Sequence, residues 1–335
     1  MGKYLLLLIL LLQGCTLNNK TEVHQSERNN IINVKDKLKE IIGDDILIGG
    51  GARLDVLDQY LVVSDVKSVD TLYHVFDKQT FRYLNSVGVF GPGPNEITNP
   101  APIYTDEKHR KFHIPDFGKN KVLSFCIDSV VNGSSRCLPE MNGMMDESQY
   151  PDRVVYFCDT LSLIRAITIP SNPGEYFKHS LARWNMKTGA MDFFPYSHPD
   201  IERKRIVFNA SMEDDIVVEA YRHHDLFTIY DFDGNFKRNI YGSRWDDATS
   251  NDMIYFGHVM IAGGKIILSY AGGRNWTDEY YPTKFMVFDL EGNYIKTLDV
   301  GYKIEHCCLD KENSRIIMSL NAEIQFAYLD LRDFV

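Results

Sequence analysis

One hairpin recurs along this chain: an apolar-aromatic strand ends in Asp or Asn, turns through polar or glycine-containing residues, and returns as a second strand. Tyr73 to Gly88 reads YHVFDKQTFRYLNSVG, Ser180 to Pro195 reads SLARWNMKTGAMDFFP, Leu226 to Gly242 reads LFTIYDFDGNFKRNIYG and Phe285 to Gly301 reads FMVFDLEGNYIKTLDVG. Lys121 to Cys137 is a degenerate copy with a longer turn, and Phe326 to Val335 runs off the end of the sequence. Setting Asp77, Cys126, Asn185, Asp231, Asp289 and Asp330 in register gives intervals of 49, 59, 46, 58 and 41 residues. That is the scale of one four-stranded propeller blade, with loop insertions lengthening some copies.

Each copy follows another β-rich run: Tyr60 to Ser64 (YLVVS), Lys111 to Pro115 (KFHIP), Ile216 to Ala220 (IVVEA), Lys265 to Tyr270 (KIILSY) and Arg315 to Leu320 (RIIMSL). Val, Ile, Phe and Tyr suit pleated, half-buried surfaces, and no strong 3.6-residue period appears after Asp44. An open row of so many strands exposes edges to aggregation, and radial closure removes most of that hazard. The fold expected over 44–335 is therefore all-β, a six-bladed β-propeller. Because the last copy stops at Val335 after a third strand, the ring is expected to be closed by an N-terminal strand, with Asp45 to Ile48 the natural candidate.

Upstream, Lys3 precedes the unbroken apolar run Leu5 to Leu12 and then Gln13, Gly14 and Cys15. The run is far too short to span a bilayer and suits a signal-peptide core. A small residue directly before a cysteine is what lipoprotein processing needs, so 1–14 is expected to leave and Cys15 to be acylated. A buried apolar strand is the alternative reading of the run. Residues 15–43 are expected to form a lipidated tether and a lead-in to the propeller: 16 to 30 are polar, and Ile31 to Ile42 reads equally as a short helix or a strand. The formal charge is −10 and becomes −11 once Lys3 is lost, with no dense Lys/Arg block. Phosphate contacts supply most nucleic-acid affinity, so nucleic acid is set aside as a partner. The expected partners are the membrane, through the lipid, and an envelope protein or small ligand.

The Leu12-Gln13-Gly14-Cys15 lipobox, Asn33-Val-Lys-Asp-Lys-Leu38, the aspartate-turn hairpins and Gly88 to Ile97 (GVFGPGPNEI) resemble the TolB-like six-bladed propeller lipoproteins of Bacteroidetes. The likeness covers essentially the mature chain, and its distinctive part is the G-x-G-P-N-E stretch. It implies the propeller fold and little about chemistry, since that family mostly lacks an assigned activity.

Gly91-Pro-Gly-Pro-Asn95-Glu96 is a rigid loop that reads as a blade-to-blade clamp, or as a ligand loop presenting Asn95 and Glu96. Asp231 to Asn235 and Asp289 to Asn293 hint at calcium, but neither continues with a late bidentate carboxylate, so hairpin turns explain them better. His223-His224 lack metal-pair spacing and read as exposed turn residues. Cys126 and Cys137 flank the turn beginning Asn132-Gly133 and are the candidate disulfide; Cys307 and Cys308 suit burial. There is no G-x-S-x-G, H-E-x-x-H or phosphate-loop motif, and neither a metal nor another cofactor is expected.

Counting back eight to ten residues from each second-strand run reaches the innermost strand of each blade. Those places hold Arg53, Arg153, Arg205, His258 and His306, with Ile103 in the second blade. Five cation-capable residues at one end of converging strands make a positive mouth able to focus an anion; the alternative is ordinary strand-end residues facing water. Imidazoles titrating near ~6.5 are expected to make that mouth more positive, and anion binding stronger, as pH falls. The resulting reading is an envelope lipoprotein whose propeller is a non-enzymatic binding scaffold. Its rival is a lactonase, lyase or glycan hydrolase with a site at the channel mouth. No acidic run follows Cys15 in Thr16-Leu-Asn-Asn-Lys20, which favours a periplasmic over a surface orientation. Replacing Cys15 by Ala is expected to leave an unprocessed precursor and abolish palmitate labelling in vivo; retained labelling overturns the lipobox reading.

Overall fold

The turns come first, because they are local. Asp77 Oδ1 accepts from the amides of Gln79 and Thr80 (3.1 and 2.8 Å), and Asn185 Oδ1 from those of Lys187 and Thr188 (3.0 and 3.2 Å). Asp231 and Asp289 each hold the amide of the Asn four residues on, at 2.8 Å, while Gly234 and Gly292 take the positive φ that the turn demands (89° and 81°). These are turns, as the sequence reading has them. After Cys126 the chain instead winds into a short helix, Ile127–Val131, before returning as Glu140–Met144.

The computed structural model describes residues 21–41, 46–133, 137–146, 148–170, 172, 176–245 and 251–334. Cys15, the signal segment and Asp45 lie outside them. The chain is an all-β, six-bladed propeller of six antiparallel sheets ordered around one axis. The innermost strands, in blade order, are Arg53–Leu57, Tyr104–Asp106, Gln149–Cys158, Ile206–Ser211, Met253–Ala262 and Ile304–Asp310. Apolar side chains fill the space between neighbouring blades: Phe227, Phe256 and Phe288 between the fourth and fifth, and Tyr73, Phe112 and Phe125 between the first and second. Each blade thus buries both faces only if it has two neighbours.

The last blade has three strands from the C-terminal end, closing with Phe326–Asp330, and its fourth is Lys39–Glu40. Glu40 pairs with Ala327 and Lys39 with Tyr328, followed by Ile41 N to Phe326 O at 2.9 Å. The expected strand at Asp45 to Ile48 is therefore misplaced. Charged Lys39 and Glu40 suit an exposed outer edge, whereas Ile46 and Ile48 go inward against a cluster holding Leu61, Phe76 and Ile317.

The lead-in is not a free tether over its described part. Glu22–Gln25 adds a parallel fifth strand to the fourth blade, and Ile31–Asn33 does the same to the fifth. Polar bonds hold this polar segment: Arg28 pairs with Asp225 at 2.7 Å, both side chains buried, and the Glu22 carboxylate accepts from Asn239 and Tyr241. Gln25 donates to Gly292 O at 2.6 Å, so the segment bridges the two blades. Backbone pairing needs no apolar side chain, which is why composition misreads it.

The first and last blades meet at a buried charge cluster. Asp310, fully buried, accepts from Lys78 (3.2 Å), Arg315 Nε (2.9 Å) and Asn313 Nδ2 (2.8 Å), and the Arg315 guanidinium sits 4.9 Å from both the Phe81 and Tyr328 rings. Asp310→Ala leaves the buried Arg315 without its counter-charge and Lys78 with only the exposed Glu312 (2.6 Å), so urea unfolding should show a loss of about 3–5 kcal/mol. A loss below about 1 kcal/mol refutes this account of the seam.

Candidate functional site

Because the innermost strands run the same way, their first halves gather at one end of the axial channel. Arg53 stands opposite Ser64, His306 opposite Ser319 and Arg153 opposite Arg165, each of these partners being the fifth residue of its blade's second strand. His258 bonds the matching Ser269 through Nδ1 at 3.2 Å. All four line one cavity of ≈ 560 Å³. Arg205 does not: it precedes the fourth blade's strand Ile206–Ser211, and its guanidinium donates outward to Phe177 O at 3.3 Å, while Val207 takes the corresponding layer.

Other strands add groups that the inner-strand count missed. Arg222, after the fourth blade's second strand, and Arg165 and His179, on the second and third strands of the third blade, also line the cavity. Arg165 is neutralised by a two-pronged pair with Asp152 (2.7 and 2.6 Å). Arg53, Arg153 and Arg222 have no salt bridge among the described residues, and Arg53 Nη1 is buried with no acceptor. Asp55, two residues past Arg53, is the acidic member. Alternation along a strand signals it, but a search for cations passes over it.

The electrostatics differ from the expected pattern. Leu54 N donates to His306 Nδ1 at 3.1 Å, so in the neutral ring the proton sits on Nε2. The His258 and His306 rings lie 4.7 Å apart, edge to face. Burial, then Arg153 and Arg222, push His258 down to about 3; burial, then His258, Arg153 and Arg53, push His306 well below the usual imidazole range. The expectation that these histidines charge as pH falls is thus overturned, since a buried ring among arginines resists a further positive charge. Asp55 is the group that titrates there. Burial pushes it up to about 7 against the pull of Arg153 and Arg53. Tyr73 and Cys308 also feel its charge, and burial holds both neutral. Arg53 is itself drawn below its ordinary value, by burial and then by Arg153.

Glu96 turns back on its own loop: its carboxylate accepts from Gly93 N at 2.6 Å, and Lys119 donates to Gly93 O and Glu96 O. A Cβ on Gly91 or Gly93 displaces that carboxylate from its place, and Gly91 also has a φ of 155° that L side chains rarely adopt. The Glu96 carboxylate is thus engaged within the loop, Lys119 of the second blade ties the loop down, and Asn95 is exposed. Cys126 and Cys137 are unbridged, with the Ile127–Val131 helix following Cys126; burial, and then the nearby Cys126, raise the Cys137 thiol. His223 is buried, bonding Met253 O at 2.8 Å, rather than exposed in a turn. Among the described residues no His, Cys, Asp or Glu cluster is arranged to hold a metal, and no helix is long and apolar enough to cross a membrane.

The DUF5128 family model, a 6-bladed beta-propeller, matches residues 19–164, less than half of the chain. No curated protein matches. A DUF4221 family member from Bacteroides vulgatus is similar in structure at 10% identity and TM-score 0.55, covering 88% of this chain and 98% of its own. A proposed exported protein from Bacteroides fragilis shares 10% identity at TM-score 0.54, over 89% of this chain and 87% of its own. The extracellular domain of a proposed one-component system from B. thetaiotaomicron shares 8% at TM-score 0.50, over 83% and 33%. At these identities the likenesses show the fold, and they support a propeller of the kind found in Bacteroidetes.

With Asp55 losing its charge below about 7, the mouth grows more positive as pH falls, in the expected direction but through a different group. NMR difference spectra against His258→Gln, His306→Gln and Asp55→Asn should show both imidazoles flat between about pH 7.5 and 5.5 and one carboxyl titrating in that window. An imidazole that titrates there refutes this assignment.

Proposed function

We propose that this protein is a membrane-anchored envelope lipoprotein whose propeller is a binding scaffold, taking a small anionic ligand at the mouth of its channel. The carrying observation is that Arg53, Arg153 and Arg222 line one cavity without a salt bridge among the described residues. Partly buried cations with no counter-charge cost folding energy, and an incoming anion offsets that cost. The cavity lies within the size range of small-molecule sites, and the low-dielectric walls focus the field of an otherwise acidic protein. Anchoring is supported by the Leu5 to Leu12 run and Cys15, and an envelope location by the exported and extracellular neighbours. The absence of an acidic run after Cys15 favours the periplasmic side.

Titration calorimetry with D-glucuronate and with cyclohexanecarboxylate tests the anion reading. At least one is expected to bind, more weakly in about 500 mM than in about 50 mM salt, because charge attracts it. The pair Arg53→Ala with Arg153→Ala is expected to weaken binding by about tenfold or more while the fold persists by circular dichroism. Failure of both acids to bind, or affinity indifferent to salt and to the arginines, overturns the reading.

A further inference from the structure

We propose that Asp55 makes this cavity selective for carboxylates that also carry hydroxyl groups, sugar acids being the class, over plain carboxylates. The inference rests on the anion reading above and refines it. Besides His179 Nδ1, two kinds of cavity-lining polar group lack a protein partner among the described residues. The Arg53 and Arg153 guanidinium groups line the cavity without a salt bridge, Arg53 Nη1 having no acceptor, and His306 is a further donor, because its Nδ1 is occupied by Leu54 N and its Nε2 carries the proton. Asp55 is the opposite: its carboxylate receives no hydrogen bond among the described residues and is met only by the charges of Arg53 and Arg153.

A plain carboxylate satisfies the donors and leaves Asp55 beside a second negative charge. A hydroxylated one satisfies both, with its carboxylate on the arginines and a hydroxyl donated to Asp55. Sites that hydrogen-bond a ligand hydroxyl reject the analogue lacking it, because the site's own polar group is then left unpaired. The ≈ 560 Å³ cavity has room for a ring of that kind, and Asp55 lines it and is only partly buried.

The test compares D-glucuronate with cyclohexanecarboxylate by calorimetry at about pH 8, where Asp55 is ionised. Wild-type protein is expected to bind glucuronate about tenfold or more tightly than the plain acid, the order of one hydrogen bond to a charged acceptor. Asp55→Ala is expected to bring that ratio close to one and to tighten the plain acid, since a negative charge has left the site; a purely structural role moves neither in that way. Should Asp55→Ala not fold, Asp55→Asn, which keeps one acceptor, is expected to give an intermediate ratio. Equal wild-type affinities, or a ratio unchanged in the folded variant, overturn this inference and leave the anion reading standing. Binding of neither acid overturns both.

Discussion

Closure of the ring is the constraint on which everything else depends. A blade has two apolar faces, so each is stable only between two others, and the first and last blades come from opposite ends of the chain. Three kinds of interaction join them: the Lys39–Glu40 strand on the last sheet, the apolar packing of Ile46, Ile48, Phe76 and Ile317, and the buried cluster around Asp310. The seam also carries hydrogen bonds that reach the channel. Ser319 Oγ donates to Ala52 O at 2.8 Å, and Leu54 N to His306 Nδ1 at 3.1 Å. The second of these sets the proton position of a cavity-lining side chain, so closing the ring and preparing the mouth are in part the same event.

The mouth inverts the charge of the molecule. The chain is acidic as a whole, yet three arginines from the first, third and fourth blades line one cavity without a salt bridge among the described residues. Arginine is the residue that tolerates this, because it holds its proton even when burial and a neighbouring cation press against it. The histidines yield instead and stay neutral, which leaves them as donors and acceptors rather than charges. Asp55 partly compensates the arginines, and its own burial keeps that compensation incomplete near neutral pH. An arrangement that leaves charge unbalanced in the empty protein sacrifices some stability, as binding sites commonly do.

Sequence alone determined what is local or repeats. The aspartate turns follow from side chains bonding amides two to four residues away, so blade number and spacing were legible without a structure. Counting back from the strands placed Arg53, Arg153, His258 and His306 on the channel because sheet pairing ties an inner strand to its partner residue by residue. The same count failed at Arg205, where a slip of two residues puts Val207 in the layer. What the tertiary structure decided is what depends on distance between blades. Arg165 and His179, on strands that no inner-strand count visits, and Arg222, just past one, reach the cavity, and Lys39–Glu40 became the closing strand while nearby isoleucines turned inward. Protonation belongs to that second group as well. His306 and Asp55 take their states from burial and from arginines in neighbouring blades, and those environments exist only once the ring has closed.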